Sequence, residues 1–313
     1  MHPALSVIFF TVVSGAGFGL VALTAALDVL GGVPGLGAQG TLVAVFIGAS
    51  LAALGLMAST LHLANPKNAW RAFFRFRTSW LSREAVFAVL FYPTVLGYLL
   101  GLWFAGSAAQ SPWTAVFAVL SMLLALIIVF VTSMIYASLR TIPQWNSPLV
   151  PANYLLLSLA SGAVLLSCIS ALAGAPVQTV GTLALLLIFL AGVSKAVYFF
   201  WIGKPQGPTI NTAVGMTRGQ VRLLEAGQSS DSFLDREFGY QAPASKLRRR
   251  RLAVYVLAFI MPFVLIVGLL RTDSVVLAPF AVALLLAGLF IERWLFFAEA
   301  RHTVNLFYGR QQC

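Results

Sequence analysis

Long apolar segments alternate with short polar breaks along almost the whole chain. A helix that crosses a membrane needs about 20 mostly apolar residues, and eight segments meet that requirement. They cover approximately residues 4–28, 41–62, 84–105, 114–138, 152–173, 180–202, 252–270 and 275–297. Turn-forming residues separate them, as at Gly31 to Gly35 and at Gly174 to Pro176. The pattern predicts an all-α polytopic membrane protein, in which residues 1–313 form a single integral-membrane domain of eight transmembrane helices.

The amino-acid composition supports this prediction and excludes two classes of protein. The 313 residues are 60% hydrophobic and 9% charged, whereas a soluble domain carries about 25% charged residues. A soluble globule cannot hide so much apolar surface, and a disordered chain is polar and rich in charge. The two cysteines, Cys168 and Cys313, are too few for a disulfide scaffold. They are also too few for an iron–sulfur cluster, which needs about four thiolates.

The net charge of +11 is concentrated in alternate connections between the spans. If the amino terminus is cytoplasmic, the inner segments are 63–83, 139–151, 203–251 and the tail after 297. They hold most of the lysines and arginines, whereas the outer loops hold only Arg271. The positive-inside rule therefore predicts that both termini lie in the cytoplasm. We expect a multi-pass protein of the bacterial inner membrane.

This orientation also accounts for the basic charge without a nucleic-acid partner. The run from Lys246 to Arg251 lies against the start of the seventh span, where it would meet anionic lipid headgroups. The long inner loop 203–251 has two interpretations that the sequence leaves open. It is either a flexible insertion or a docking surface for a cytoplasmic partner, since long loops in compact proteins are often functional.

The densest candidate chemistry lies where the second span ends and the third begins. His62 closes the second span, just after Ser59, and Glu84 opens the third. Because both ends face the cytoplasm, we expect His62 and Glu84 at a similar depth, facing one pocket. Ionisable groups at the membrane edge of a bundle are functional candidates. Each residue also has a structural explanation, because the helix dipole favours a histidine in a last turn and a glutamate in a first turn.

The residues between them alternate between basic and aromatic positions. Lys67, Arg71 and Arg75 recur every four residues, and aromatic side chains that start at Trp70 recur on another face. This spacing predicts a basic amphipathic helix that lies in the headgroup plane. We expect Lys67, Arg75 and Arg77 to contact lipid or a partner protein.

Two further patterns concern ionisable groups inside the spans. Glu84, Phe91 and Tyr98 fall every seven residues, which places an acid at one end of an aromatic face. Such a face suits a flat aromatic ligand that enters from the bilayer, although a stripe of this kind is equally typical of a packed core. Lys195 lies about two turns from the inner end of the sixth span. We expect it to extend to the interface, and the alternative is that it joins the polar pocket.

The chain resembles the dimethyl sulfoxide reductase anchor-subunit family in four blocks, at residues 1–8, 62–70, 79–84 and 293–302. Eight spans fit that family over the whole chain, and the first block is most similar to the branch whose complexes oxidise sulfite. The resemblance implies a subunit that anchors a molybdopterin catalytic subunit and a four-cluster, ferredoxin-like iron–sulfur subunit in the lipid membrane. It also implies electron exchange with quinone or quinol, either menaquinone or ubiquinone, and no haem in this chain.

The resemblance also assigns candidate site residues. The family's histidine after the second span and its acid at the start of the third are associated with the quinone site, and they match His62 and Glu84. We expect quinone binding and proton transfer to involve His62, Glu84, Arg71, Arg83, Ser59 and Tyr98, and no bound metal. The arginines would stabilise negative charge or bind lipid.

The direction of electron flow and the class of protein have alternatives. If sulfite is the substrate of the complex, electrons flow towards quinone, and if a sulfoxide is the substrate, quinol is oxidised. A secondary transporter is the rival from another class, and it predicts internal repeats and broken helices that converge at mid-membrane. A membrane-embedded lipid transferase would need clustered acids or an evident nucleophile. An anchor without a quinone site is the third rival.

Overall fold

The computed structural model describes residues 3–60, 66–204, 207–225, 239–240, 242–308 and 310–312. Its eight long helices are each apolar enough to cross a membrane. They are α1 (Leu5–Val29), α2 (Gly37–Thr60), α3 (Trp80–Phe104), α4 (Pro112–Ala137), α5 (Leu149–Leu172), α6 (Gln178–Ile202), α7 (Ala244–Thr272) and α8 (Leu277–Ala298). The described residues contain no strand. The predicted all-α architecture with eight candidate spans is confirmed.

Connections that carry most of the basic residues meet at one end of the bundle, which we call the basic end. They are the segments 66–79 and 138–148, the described parts of 203–243, and residues 299–308 and 310–312. The opposite end holds the short connections 30–36, 105–111, 173–177 and 273–276. At the basic end a 3-10 helix, Pro66–Arg75, precedes α3, and a second one, Thr303–Tyr308, follows α8.

Capping chemistry fixes where the third span begins. The Ser79 side chain accepts a hydrogen bond from the backbone N–H of Ser82 at 3.4 Å, so α3 begins at Trp80 rather than at the predicted residue 84. The N–H groups at a helix start have no partner within the helix, and a serine cap satisfies one of them. Glu84 consequently lies about 6 Å inside the helix, given a rise of 1.5 Å per residue.

The centre of the bundle is formed by α1 and α5, which are the most buried of the eight helices. Small residues let the backbones approach closely there. A Cβ atom on Gly17 of α1 would lie 2.5 Å from the backbone nitrogen of Ala52, and one on Gly162 of α5 would overlap the backbone of Gly19. Glycines therefore lie where two helices approach so closely that no side chain fits between their backbones.

The seventh span is longer than predicted and irregular in its middle. It begins at Ala244 instead of residue 252, so the basic run 246–251 forms the first turns of α7. A π-helical turn over Tyr255–Ile260 precedes Pro262. Proline removes one backbone N–H and crowds the preceding turn, so a local change of helical pitch is an expected response.

Candidate functional site

Glu84 is buried on the inner face of α3 and bonded to α4. Its side chain is 6% exposed, and its Oε1 is hydrogen-bonded with the Thr132 hydroxyl. The same hydroxyl donates to the Ile128 carbonyl oxygen at 2.9 Å. The Thr132 hydroxyl is also the donor to Glu84. Its one proton is shared between the two acceptors when Glu84 is ionised, and a neutral Glu84 can instead donate to Thr132.

Two tyrosines lie next to this acid. Tyr136 is one turn beyond Thr132 on α4, and its ring stacks on that of Tyr154 of α5, with a centroid distance of 6.1 Å. Charge on Glu84 acts on both tyrosines. The acid of α3 therefore belongs to a polar environment that extends across α4 into α5.

A buried ion cluster continues this environment on the other side of Tyr154. Lys195 of α6 forms an ion pair with Glu292 of α8, and their side chains are 1% and 0% exposed. Arg293 Nε lies 2.5 Å from the second carboxylate oxygen of Glu292. The Arg293 guanidinium stands 4.0 Å from the centroid of the Tyr154 ring. Buried charges are retained where they are paired and hydrogen-bonded, as they are here.

The expectation that Lys195 extends to the interface is wrong. Its ammonium group is held inside the bundle by Glu292 and lies 4.1 Å from the centroid of the Tyr198 ring. An opposite charge and an aromatic face together replace the water that the interface would have supplied. Lys195 therefore takes the alternative role, as part of the buried polar environment.

We call these groups together the polar layer, and all but Tyr136, which is one residue from the end of α4, lie at a similar depth. From the helix ends at the basic end, Glu84 is about 6 Å, Thr132 about 8 Å, Glu292 about 9 Å and Lys195 about 10 Å into the bundle, from the rise per residue. The polar layer consists of Glu84, Thr132, Tyr136, Tyr154, Lys195, Glu292 and Arg293.

A cavity of about 370 Å³ lies at the basic end. Glu299, which directly follows α8, lines it together with Arg251 of α7. Arg251 Nε and Nη2 are each 2.7 Å from Glu299 Oε1. Burial raises the pKa of Glu299 above its ordinary value, although Arg251 opposes the shift. Arg301 and Arg310 also line the cavity, which makes its wall predominantly basic.

The structure separates Arg83 from Glu84. Arg83 Nε donates to the Phe76 carbonyl oxygen at 3.0 Å and Nη2 to that of Arg77 at 2.9 Å. The guanidinium also lies 4.1 Å from the centroid of the Trp80 ring. Arg83 therefore fastens the turn before α3 and does not point at the acid.

The segment before that turn differs from the predicted amphipathic α-helix. Pro66–Arg75 is a 3-10 helix, whose three residues per turn do not keep basic residues spaced by four on one face. Lys67, Arg71, Arg75 and Arg77 are all exposed, and Arg71 lies over the ring of Trp70 at 5.7 Å. These positions leave them available to lipid or a partner protein.

Of the remaining candidate residues, two make no contact with Glu84 that the structure describes. A third lies outside the described residues. The Ser59 hydroxyl donates to the Leu56 carbonyl oxygen of its own helix at 2.7 Å. The Tyr98 hydroxyl donates to Asp28 Oδ2 at 2.8 Å, near the opposite end. Fourteen residues separate Tyr98 from Glu84, which is about 21 Å of helix. His62 lies outside the described residues.

Sequence reasoning missed much of the polar layer. Thr132, Tyr136 and Tyr154 resemble ordinary span residues, and no spacing rule distinguishes them. Glu292 and Lys195 did carry a signal, since they are opposite charges in two apolar spans at matching distances from the same end. Among the described residues, no three His, Cys, Asp or Glu side chains come together as a metal site.

The helices and the buried polar layer define a polytopic integral membrane protein with its ionisable groups gathered near one end. The family model of the DMSO reductase anchor subunit (DmsC) matches residues 1–310. The chain therefore belongs to the DMSO reductase anchor subunit family. It is 37% identical to a sulfite dehydrogenase subunit of Allochromatium vinosum, in an alignment of 328 positions that covers 98% of this chain and 99% of that protein. The family resemblance predicted from the sequence is confirmed.

Proposed function

We propose that this chain is the membrane anchor of a molybdenum and iron–sulfur oxidoreductase in which sulfite oxidation delivers electrons to quinone. The observation that carries the proposal is the similarity to a subunit of a sulfite dehydrogenase over nearly the full length of both chains. In this proposal the chain passes electrons between a docked iron–sulfur subunit and quinone, while a molybdopterin subunit acts on sulfite.

The surroundings of Glu84 suit a quinone headgroup. A carboxyl, a threonine hydroxyl and tyrosines are groups that hydrogen-bond to quinone oxygens. Aromatic side chains surround the approach from the lipid. The Trp80 ring meets that of Phe130 at 6.3 Å, and the Phe76 ring meets that of Phe87 at 5.8 Å. Phe76 and Phe130 are exposed on the surface of the bundle, so a flat ligand would reach Glu84 laterally between them.

The residues of this chain would manage protons. A quinone supplies a couple that takes up two electrons and two protons when it is bound. Glu84 has a hydrogen-bonded neutral form with Thr132, and its ionised form would balance the excess positive charge of Lys195 and Arg293 over Glu292. Because both protonation states are accommodated, Glu84 is suited to pass a proton. His62 is proposed as a second partner for the headgroup, since imidazole titrates near neutral pH.

The iron–sulfur subunit is proposed to dock at the basic end, which we assign to the cytoplasm by its charge. The described part of the long loop supports this assignment. Asn211 Nδ2 donates to the Gly219 carbonyl oxygen at 2.8 Å, and the Ile210 N–H donates to that of Gln311 at 3.0 Å. These bonds hold the loop against the tail while Leu224 remains 96% exposed. A loop segment that is bonded to the tail and exposes an apolar side chain fits a docking surface.

The test uses the complex purified through a tag on this chain. We expect molybdenum and iron–sulfur subunits to copurify and sulfite to reduce a quinone analogue. Glu84→Gln should lower quinone turnover about a hundredfold, which is within the range for loss of a general acid or base, and leave the complex assembled. Asp273→Asn, an exposed acid at the opposite end of the bundle, is the matched control and should behave like the native protein. Purification without such subunits, or normal turnover in Glu84→Gln, would contradict the proposal.

The family name supports one second candidate, a complex that oxidises quinol and reduces a sulfoxide. The same preparation distinguishes the two. We expect sulfite-dependent reduction of the quinone analogue to exceed quinol-dependent reduction of dimethyl sulfoxide. The reverse order would favour the second candidate while leaving the role of Glu84 in place.

A further inference from the structure

We propose that Glu299, the Lys195–Glu292 pair and Tyr154 form a proton relay from the cavity at the basic end to Glu84. The relay rests on the proposed function, because it supplies the acid that serves the quinone site. It assigns a role to buried ionisable groups on α6 and α8 that the quinone site alone does not use.

The outer part of the relay is the cavity wall. Glu299 is 9% exposed, and its Oε1 is engaged by Arg251. Its Oε2 is buried and has no hydrogen-bond partner among the residues that the structure describes. A carboxyl with one anchored oxygen and one unpaired oxygen, beside a cavity large enough for several waters, is suited to exchange protons with solvent.

The inner part runs through the ion cluster. The Lys195 ammonium and the Arg251 guanidinium lie 4.8 Å and 5.0 Å from the centroid of the same Phe199 ring, which brings Lys195 near the Arg251–Glu299 pair. Lys195 is also ion-paired with Glu292. Glu292 contacts Arg293 at 2.5 Å, and Arg293 lies over the Tyr154 ring at 4.0 Å. The guanidinium stays protonated at any physiological pH. Arg293 therefore holds Glu292 and Tyr154 in place, and the proton passes through Lys195, Glu292 and Tyr154.

Two buried polar atoms of the ion cluster lie beside a small void. Arg293 Nη1 and the Tyr154 hydroxyl are both buried and lack a hydrogen-bond partner within the described residues. Both residues line a void of about 30 Å³ that also touches Thr11 and Ser158. One water occupies about 30 Å³ in the liquid, and a water needs two to four polar partners. The void therefore fits a bridging water that satisfies both atoms.

The charges of the relay balance when every acid is ionised. Lys195, Arg251 and Arg293 are basic, and they oppose three acids at the same end of the bundle. Those acids are Glu84, Glu292 and Glu299. When one proton enters, the cluster holds a single excess positive charge, and this charge is lost when the proton leaves from Glu84. The relay carries protons alone, and the electrons come from the docked subunit in the proposed function.

The pH response of the relay depends on the groups that face Glu299. Arg251 on α7, Lys195 and Tyr198 on α6, and Arg301 in the tail all act on it. Glu299 must be protonated to donate inward, so delivery slows as pH rises above its pKa. Loss of Arg251 removes a positive charge that stabilises the carboxylate, and the slowing should then begin at a higher pH.

The experiment compares Glu299→Gln, Arg251→Gln and Arg251→Lys in the purified complex. Glu299→Gln should lower quinone turnover about tenfold at neutral pH, and acetate should restore at least part of it by carrying protons into the cavity. Arg251→Gln should shift the alkaline limb of the pH profile upward, and Arg251→Lys, which keeps the positive charge beside Glu299, should shift it less. Infrared titration of the resting complex should show a protonated carboxyl band that disappears in Glu299→Gln and titrates at a higher pH in Arg251→Gln.

The outcomes separate the relay from the quinone site. Native turnover and an unchanged pH profile in Glu299→Gln, together with slow turnover in Glu84→Gln, would overturn the relay alone. Normal turnover in Glu84→Gln would instead overturn the proposed function. Equal losses in Glu299→Gln and Arg251→Gln, without rescue by acetate, would show that their ion pair is merely structural.

Discussion

Lys195 of α6 and Glu292 of α8 form an ion pair inside the bundle, where neither side chain is more than 1% exposed. Arg293 contacts the other oxygen of Glu292, so one carboxylate serves two cations. This arrangement links α6 and α8 at the depth of Glu84. It places paired charges inside the part of the bundle that is nearest the basic end.

Removal of the lysine should destabilise the protein. Lys195→Met leaves Glu292 buried with Arg293 as its remaining cation in the described structure. Breaking one side of a buried pair costs about 3–5 kcal/mol, and we expect the lower part of this range because Arg293 stays. Thermal unfolding of the detergent-solubilised protein measures the change.

Two further variants make this measurement specific. Lys204→Met removes an exposed lysine from the end of α6 and should change stability by less than about 1 kcal/mol. The double variant Lys195→Met/Glu292→Gln should be less stable than Lys195→Met, because it leaves Arg293 buried without a carboxylate partner. If Lys195→Met is as stable as Lys204→Met, the ion pair does not hold the two helices.

The close approach of α1 and α2 predicts different effects on stability when two nearby glycines are replaced by alanine. A Cβ on Gly17 would overlap the α2 backbone, whereas one on Gly15 would meet nothing within 4 Å. Gly17→Ala should cost about 1–3 kcal/mol through overpacking, and Gly15→Ala should be neutral or slightly stabilising, since alanine favours helix. Equal changes in unfolding temperature for the two variants would contradict this packing.

Loss of the hydrogen bond between Tyr98 and Asp28 should lower the stability of the protein without changing quinone turnover. Tyr98→Phe leaves a buried carboxylate with one bond fewer and should cost about 1–3 kcal/mol. Quinone turnover of the assembled complex should remain near native, because Tyr98 lies far from Glu84. Tyr92→Phe is the control, since that buried hydroxyl has no partner within the described residues. A turnover loss as large as that of Glu84→Gln would return Tyr98 to the quinone site.

Glu299 should also make the stability of the folded chain depend on pH. Burial raises the pKa of this carboxyl above its ordinary value of 4.5, so the folded state binds its proton more tightly than the unfolded state. The resulting stabilisation is complete below pH 4.5 and is lost as pH rises through the higher folded pKa. Glu299→Gln should flatten this part of the stability profile. An unchanged slope in unfolding experiments across that range would refute the assignment.

The eight helices were predictable from the sequence because burial in a membrane imposes long apolar segments. Their ends were less predictable. The start of α3 depends on a single hydrogen bond at Ser79, and this shift of four residues moves Glu84 from the edge of the bundle to one turn inside it. The position of the acid therefore follows from capping, which the apolar pattern does not encode.

The partners of the buried charges were the other part that the sequence did not determine. Lys195 and Glu292 are 97 residues apart in the chain, and only the packing of α6 near α8 brings them together. Likewise, Arg83 is next to Glu84 in sequence, but successive helix residues point about 100° apart, and Arg83 bonds to the carbonyls of the preceding turn. Local spacing predicted candidates, and tertiary contacts assigned their roles.

The most direct test of the central claim follows electrons into the partner protein that holds the iron–sulfur clusters. In the purified complex, sulfite should reduce these clusters, which electron paramagnetic resonance detects, and an added quinone analogue should then reoxidise them. We expect rapid reoxidation in the native complex and in Tyr98→Phe, and slow reoxidation in Glu84→Gln with all subunits still bound. Equally rapid reoxidation in Glu84→Gln, or sulfite-reduced clusters that never respond to the quinone analogue in the native complex, would contradict a quinone site at Glu84.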